Sequence, residues 1–145
     1  MLFMATLFAG TFFGAAIYIN LVEHPARLEC GVDVALREFG PSYRRAAVMQ
    51  GGLAVSGCLL GLVAAWLGGD LQIAMAALLF GAVVPVTLVL IFPTNKRLLD
   101  PALDPDSDRA ALLLARWNRL HAIRTVLSGL AFAWLLVRLM QIGLV

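Results

Sequence analysis

The sequence predicts an all-α fold, an integral membrane four-helix bundle with a short amphipathic interfacial helix after the first span. Of the 145 residues, 61% are apolar and 14% are charged, and the mean hydropathy is +0.90. So few charges would not cover the surface of a water-soluble domain of this size, which argues against a soluble monomer, a nucleic-acid-binding protein and a disordered chain. Four runs reach the roughly 20 apolar residues that a membrane-spanning helix needs. The chain 1–145 is therefore predicted to be a single membrane domain with spans at 2–22, 46–67, 71–92 and 122–145.

The first run, 2–22, is predicted to be a retained membrane helix rather than a signal peptide. It has no basic region before it, its apolar stretch is long, and the residues from Asn20 to Glu23 form no small-residue cleavage site. Because Pro25 disfavours a helical conformation at the residue before it, this helix is expected to stop at His24.

The charged segment 23–45 is predicted to contain the interfacial helix, over residues 26–39. Apolar residues recur there at helical spacing with charged residues between them. This pattern is typical of a helix that lies on the membrane surface or covers the end of a bundle. Gly40, Pro41 and Ser42 are expected to end the helix.

The second charged segment, 93–121, is predicted to change from loop to helix. Residues 100–108 are acidic and rich in turn-forming residues, and Asp106, Ser107 or Asp108 is expected to cap a helix that begins near Arg109. No helix breaker separates this helix from the fourth span, so the last helix is predicted to be long.

Glycines and a proline inside the spans predict how the helices approach one another. Gly10 with Gly14, and Gly57 with Gly61, form two GxxxG patterns, which permit close helix packing. Packing within the chain is favoured, and a dimer face in a homo-oligomer is the alternative. Pro85 is expected to kink the third span.

The cationic residues lie almost entirely at one end of the predicted bundle. Of the 11 Lys and Arg residues, all but Arg124 and Arg138 fall in the two charged segments, and Arg124 stands just beyond them. By the positive-inside rule, both charged segments are expected in the cytoplasm and both termini outside, in the inner membrane if the protein is bacterial.

Two cysteines offer no chemistry of their own. Cys30 lies in a charged segment and Cys58 in an apolar run. This spacing is not that of a disulfide framework or a metal motif, so two free thiols are predicted.

Polar side chains stand near the charged ends of all four spans. The fourth helix carries a polar stripe at helical spacing, formed by Trp117, His121, Arg124 and Ser128. Because the topology brings these ends to one membrane depth, and buried ionisable groups there are costly unless paired, we predict a single functional pocket. Its lining is predicted to include Asn20, Glu23, His24, Tyr43, Gln50, Asn95, Trp117, His121 and Arg124.

Purely structural roles are the alternative for these residues. Glu23 would form an interfacial ion pair with Arg27 or Arg124, and Trp117 would belong to the aromatic belt of the membrane surface. His24 would be a solvated residue at a helix end. Packing roles are the alternative for Tyr43, Gln50 and His121.

Five segments carry a family resemblance: GAAIYINLVEHPAR (14–27), PSY (41–43), MQ (49–50), PTN (93–95) and RWNRLHAIR (116–124). Through them the sequence resembles the anthrone oxygenase-like family of small four-helix membrane proteins. The resemblance implies an oxidoreductase of the monooxygenase type, since fungal members oxidise an anthrone to an anthraquinone with dioxygen and without a known added cofactor. The positions that it singles out are Asn20, Glu23, His24, Asn95, Trp117, His121 and Arg124.

The pocket and the resemblance together predict a membrane-embedded oxygenase that acts on a small aromatic or polyketide-type substrate. Its partners would be the lipid bilayer, the substrate and dioxygen, with no nucleic acid. A CH₂ group between aryl rings and next to a carbonyl is acidic enough for a histidine base, which would be His121 or His24. Glu23 would orient the imidazole, and Arg124 with Asn95 would stabilise the developing oxyanion. The substrate would also be bound by Asn20, Tyr43, Gln50 and the stacking ring of Trp117.

Two alternatives from other classes stay open at this point. His24, His121 and Glu23 match the two-histidine, one-carboxylate ligand set of iron, or a copper site, and the histidines would also suit a haem. The second alternative is a non-catalytic membrane subunit that binds a small molecule.

Overall fold

The computed structural model describes residues 1–143, and four long helices make up most of that part. Each is long and apolar enough to cross a membrane: α1 Leu2–Glu29, α2 Val32–Gly68, α3 Leu71–Leu98 and α4 Asp108–Gly143. Each helix packs against its neighbours in chain order, and α4 closes the ring against α1. Short links make neighbouring helices antiparallel, as in an up-down bundle. The predicted all-α membrane four-helix bundle is confirmed.

The bundle has two unlike ends. We call the end that carries the links α1–α2 and α3–α4 the charged end, and the end with the link Gly69–Asp70 the turn end. One apolar core, which includes Phe12, Phe80 and Leu135, fills the turn-end half. A second core, which includes Phe39, Ile91 and Leu114, lies at the charged end.

The prediction of a separate interfacial helix over residues 26–39 is wrong. The chain breaks at Cys30 and Gly31, and α2 then runs without interruption through Pro41. Gly31 has φ of 105°, a conformation that glycine adopts without a steric penalty. Pro41 is exposed and removes a single hydrogen bond, the one its missing N–H would donate to the Arg37 carbonyl. Residues 26–39 therefore form the last turns of α1 and the first turns of α2.

Five-residue π-helical segments interrupt α1 at Ile19–Glu23 and α3 at Thr87–Ile91. Each segment ends two residues before a proline, Pro25 in α1 and Pro93 in α3. These prolines have no N–H for the carbonyl four residues earlier, which lies inside the π-helical segment, and the widened turn absorbs the missing bond. The expected stop of α1 at His24 is therefore wrong, because the helix widens before Pro25 and continues to Glu29.

The structure has an irregularity before Pro85 and a cap at the start of α4. The regular order of α3 breaks at Ala82, next to Gly81, whose carbonyl would otherwise accept from the absent N–H of Pro85. At the start of α4, the Oγ of Ser107 accepts a hydrogen bond from the backbone N–H of Ala110 at 3.3 Å. Ser107 is thus the capping residue among the three that the sequence offered.

An ion pair fastens the turn end. The Oδ1 of Asp70 accepts hydrogen bonds from the backbone N–H of Gln72 at 2.9 Å and of Ile73 at 3.3 Å, which caps α3. Its Oδ2 pairs with the guanidinium of Arg138 on α4. The hydrogen bond from Arg138 holds the pKa of the Asp70 carboxyl below its usual range, so the carboxylate is ionised at neutral pH. This contact explains the isolated cation of α4 at the turn end.

Three of the four glycines in the GxxxG patterns lie at close helix contacts. A Cβ atom built on Gly61 would stand 2.6 Å from the Cβ of Ala77, and one on Gly57 would stand 2.6 Å from the ring of Phe80. Gly10 faces the ring of Phe132 in the same way, whereas a Cβ on Gly14 would meet nothing within 4 Å. These three glycines therefore serve packing within the chain.

We expect Gly61→Val to destabilise the protein by roughly 1–3 kcal/mol, because the neighbouring Ala77 is part of a rigid helix and the two backbones must separate. Gly14→Val is the matched control, since it adds the same β-branched side chain to a helix without meeting a neighbour. The measurement is the midpoint of thermal unfolding in detergent. Equal midpoints for the two variants would contradict the close contact between α2 and α3.

Candidate active site

A cavity of about 240 Å³ lies between the two cores, chiefly between α2 and α3. On the α2 side the wall is made of small residues, among them Ala46, Gly51 and Ala54. On the α3 side it is made of branched residues such as Val84 and Ile91. The space is thus left where small side chains of α2 face the π-helical part of α3.

The cavity brings together six of the nine residues predicted for the pocket. They come from α2, α3 and α4: Tyr43, Gln50, Asn95, Trp117, His121 and Arg124. The other three, Asn20, Glu23 and His24, belong to α1 and do not line the cavity. The structure therefore divides the predicted set into cavity-lining residues and residues behind the wall.

Asn20 holds the imidazole of His121 from behind. The Nδ2 of Asn20 donates to the side-chain oxygen of Asn118 at 2.6 Å and to its backbone carbonyl at 3.1 Å. The Oδ1 of Asn20 therefore faces the other way, where it accepts from the hydroxyl of Thr125 at 2.5 Å and lies 2.9 Å from the Nδ1 of His121. Since an amide oxygen only accepts hydrogen bonds, Nδ1 of His121 carries the proton.

This assignment leaves Nε2 of His121 with a free electron pair. His121 is 1% exposed and lines the cavity, and within residues 1–143 its Nε2 makes no hydrogen bond. A neutral imidazole whose Nδ1–H is fixed and whose Nε2 is free is a proton acceptor in the orientation of a general base.

Glu23 takes part in an ion pair and not in orienting an imidazole. Its carboxylate pairs with the guanidinium of Arg27 one turn later, and Arg27 also contacts Ser42 and the carboxylate of Glu38. Of the two partners that the sequence offered, Arg27 is thus the one that the structure provides. The orienting contact to His121 comes from Asn20.

His24 is buried next to the cavity rather than solvated. It is 1% exposed, and its ring centroid lies 5.3 Å from that of Trp117. The indole of Trp117 in turn stacks on His121 at 4.8 Å and meets the edge of Phe39 at 5.5 Å. In the part of the chain that the structure describes, neither ring nitrogen of His24 has a hydrogen-bond partner, so His24 supports the indole by packing.

The ligand set of the metal alternative does not converge. Glu23 is engaged by Arg27, and the indole of Trp117 contacts the rings of both histidines. Within the described part of the chain, no three side chains of His, Cys, Asp or Glu are close enough together to hold a metal ion. Cys30 and Cys58 are free thiols, as predicted.

Arg124 places an unbalanced positive charge beside the cavity. Its Nη2 donates to the Oε1 of Gln50 at 2.6 Å, and its guanidinium lies 5.1 Å from the ring centre of Phe12. None of the ion pairs found among residues 1–143 includes Arg124. A charge in such a place is costly, and a negative charge in the cavity would offset that cost.

Several buried polar atoms of cavity-lining residues have no hydrogen-bond partner within the described residues 1–143. The Nε2 of Gln50 and the Nε1 of Trp117 are free donors, and the Oδ1 of Asn95 is a free acceptor. Buried polar groups are normally hydrogen-bonded. Two donors and an acceptor around an apolar space suit a flat molecule that carries oxygen atoms at its rim.

The sequence interpretation missed several residues of the site. The cavity is also lined by Phe12, Arg27, Phe39, Ser42 and Thr87, and the network behind His121 includes Asn118 and Thr125. Asn118 precedes His121 by three residues and Thr125 follows it by four, so helical spacing from His121 was a usable signal for these two. No spacing rule indicates Phe12 and Phe39, because phenylalanine is common in the helices.

Four membrane helices that enclose a mostly apolar cavity, with the imidazole of His121 and the guanidinium groups of Arg27 and Arg124 among its lining, define a small membrane protein with an internal cavity. The chain belongs to the anthrone oxygenase family, whose model, described as anthrone oxygenase, matches residues 39–134. The match spans most of α2, all of α3 and most of α4, and α1 with Asn20 lies before it. Comparison with curated proteins and with solved structures finds no match.

Proposed function

We propose that the protein is a membrane-embedded oxygenase that oxidises an activated CH₂ group of a small aromatic or polyketide-type substrate with dioxygen. The observation that carries this proposal is the imidazole of His121, whose Nδ1–H is fixed by Asn20 while its Nε2 is free at an apolar cavity. The family supports oxygenase chemistry, and the cavity supports a flat, apolar substrate.

The reaction begins with transfer of a proton from the substrate CH₂ to Nε2 of His121. The negative charge spreads onto the substrate carbonyl oxygen, and the guanidinium of Arg124 stabilises it. The electron-rich carbon then gives electrons to dioxygen and forms a C–O bond. The imidazolium returns its proton to the peroxide, and loss of water leaves a new carbonyl group. In sum, CH₂ and O₂ give C=O and H₂O, and the substrate supplies all four electrons.

The remaining residues of the wall bind the substrate in this proposal. The indole of Trp117 already packs on His121 and His24, so it binds the substrate through its unpartnered Nε1–H. Gln50 and Asn95 bond further oxygen atoms at the substrate's rim. Tyr43 reaches the cavity from the charged end. His24 and Glu23 act from behind the wall, through the indole and through the ion pair with Arg27.

Anthrone is the probe that tests this function. Protein in nanodiscs is expected to convert anthrone to anthraquinone above the rate in protein-free nanodiscs, with one O₂ consumed for each anthrone. With ¹⁸O₂ the new carbonyl should carry the label, as followed by mass spectrometry. Anthrone binding without any excess oxidation would instead support the non-catalytic binding subunit, and loss of activity on treatment with a chelator would support the metal alternative.

We also propose that the charged end faces the cytoplasm. All Lys and Arg residues except Arg138 lie at or near that end, which agrees with the positive-inside rule. The site would then lie in the cytoplasmic half of the membrane.

A further inference from the structure

We propose that the cavity opens sideways into the hydrocarbon of the membrane, through a gap between α2 and α3, and that the substrate reaches His121 from the bilayer. The identity of the substrate that passes through the gap rests on the proposed function, whereas the existence of the gap does not. The mouth is formed by Ala47 and Gly51 on α2 and by Leu88 and Phe92 on α3.

The two helices that border the mouth are close at one end and separate at the other. At the turn end, Gly57 and Gly61 of α2 lie directly against Phe80 and Ala77 of α3. Beyond Ala82, the π-helical segment Thr87–Ile91 and the turns after it pack mainly on α4. The interruption of α3 thus turns its second half away from α2 and leaves the gap.

Three of the four mouth residues are exposed although they line the cavity, and Gly51 is half-buried. Leu88 is 60% exposed and Phe92 is 37% exposed, and Ala47 is exposed as well. A Cβ atom built on Gly51 would meet nothing within 4 Å. Among residues 1–143, no atom beyond its own helix neighbourhood therefore stands against the wall at Gly51.

The depth of the mouth places it at the charged-end edge of the hydrocarbon. At 1.5 Å per residue, Gly51 and Leu88 each stand about 26 Å from the turn-end terminus of their helix, and Ala47 and Phe92 each stand about 32 Å from it. The hydrocarbon core is about 30 Å thick. The nearest charged residues along the two helices, Arg45 on α2 and Lys96 on α3, lie further toward the charged end. The mouth is thus on the lipid side of the charged residues.

The side chains of the mouth favour one kind of entering molecule. The four mouth residues carry no polar side chain, while the unpartnered polar atoms belong to the buried side chains of Gln50, Asn95 and Trp117, and Arg124 lines the cavity from α4. A neutral, flat aromatic molecule dissolved in the bilayer fits this order of contacts, because a charged molecule would have to shed its water before meeting any polar group. The charge on the substrate would then form only beside Arg124.

Spin labels test the mouth without any need for turnover. In a Cys30→Ser, Cys58→Ala background, Gly51→Cys is labelled with a nitroxide, with Gly52→Cys as the lipid-facing control and Arg44→Cys as the reference at the membrane surface. In vesicles of phosphatidylcholine and phosphatidylglycerol, the label at Gly51 should collide with dioxygen as often as that at Gly52. It should collide with a water-soluble nickel chelate roughly tenfold less often than that at Arg44.

Two results would overturn the proposal. Accessibility of the Gly51 label to nickel equal to that of the Arg44 label would show a mouth open to water. Low accessibility of the Gly51 label to both dioxygen and nickel would show a closed cavity.

A blocking variant tests passage of the probe anthrone. Gly51→Phe is expected to slow binding of bilayer-dissolved anthrone, followed by quenching of Trp117 fluorescence in a Trp66→Phe, Trp134→Phe background, by about tenfold or more. Gly52→Phe should bind at the unaltered rate, because Gly52 is exposed and outside the cavity wall. Equal rates for the two variants would overturn access through this mouth. If anthrone bound normally but was never oxidised, the proposed function would fail while the mouth would stand.

Discussion

Replacing His121 with alanine is expected to lower the rate of anthrone oxidation by about 10²–10⁴-fold, the usual contribution of a general base. The loss follows from Nε2 of His121, a residue that lines the cavity, because this nitrogen makes no hydrogen bond within residues 1–143. The measurement is anthraquinone formation by protein in nanodiscs, with thermal unfolding in detergent recorded for the same samples.

His121→Asn separates the basic nitrogen from the hydrogen bond to Asn20. The side-chain NH₂ of the introduced asparagine still donates toward Oδ1 of Asn20, but nothing replaces Nε2. We therefore expect a variant as inactive as His121→Ala, with stability closer to that of the unaltered protein. His24→Ala is the matched control at the other histidine, and it should keep the rate within about tenfold, because packing behind an indole affects only orientation. Activity retained by His121→Asn and lost by His24→Ala would reverse the proposed roles.

The membrane helices are the part of the fold that the sequence predicts well. Long apolar runs mark a membrane span by their length alone, since no shorter helix crosses the hydrocarbon. The ends of the helices were less predictable from the sequence. Gly40, Pro41 and Ser42 form a strong local turn signal, yet the helix continues, because Phe39 and Ala35 are buried in the charged-end core. The free energy gained by packing in this core outweighs the single backbone hydrogen bond that Pro41 removes. The helix is interrupted at Gly31 instead.

Helical spacing located the half of the site that lies on α4. Trp117, His121 and Arg124 share one helix face, so their convergence follows from the period of the helix alone. The contact between Asn20 and His121 does not follow in this way, because it joins two helices at opposite ends of the chain. It also depends on the π-helical turn of α1, and the sequence marks that turn only through Pro25.

Local charge spacing gave the right ion pair and the wrong role for Glu23. Glu23 and Arg27 stand one helical turn apart, which favours an ion pair wherever both are on a helix. The sequence interpretation gave Glu23 a role in orienting the imidazole, with an ion pair to Arg27 or Arg124 as the alternative. In the structure the carboxylate pairs with Arg27, and the neutral amide of Asn20 lies behind His121. In the proposed mechanism, a neutral acceptor fixes the tautomer of the imidazole without adding a negative charge next to the one that would form on the substrate.

Arg124 has no carboxylate beside it within residues 1–143. The variant Arg124→Gln is therefore the second one for which we expect a large effect. Gln50 holds the guanidinium through one hydrogen bond at 2.6 Å, and no ion pair among residues 1–143 neutralises it. In the proposed mechanism, the charge that appears on the substrate oxygen in the transition state is the partner that the guanidinium lacks.

We expect Arg124→Gln to lower kcat by about 10²–10³-fold with little change in KM, because the neutral substrate does not yet carry the charge that Arg124 stabilises. Arg124→Lys should restore part of kcat, since it returns the charge without the planar donor pair. Arg119→Gln, an exposed position on the same helix, is the matched control and should behave like the unaltered protein. If Arg124→Gln instead raised KM and left kcat intact, the guanidinium would bind the ground state, and the substrate would have to enter as an anion. That outcome would contradict access from the bilayer as well, because the apolar mouth formed by Ala47, Gly51, Leu88 and Phe92 offers an anion no partner on its way to the site.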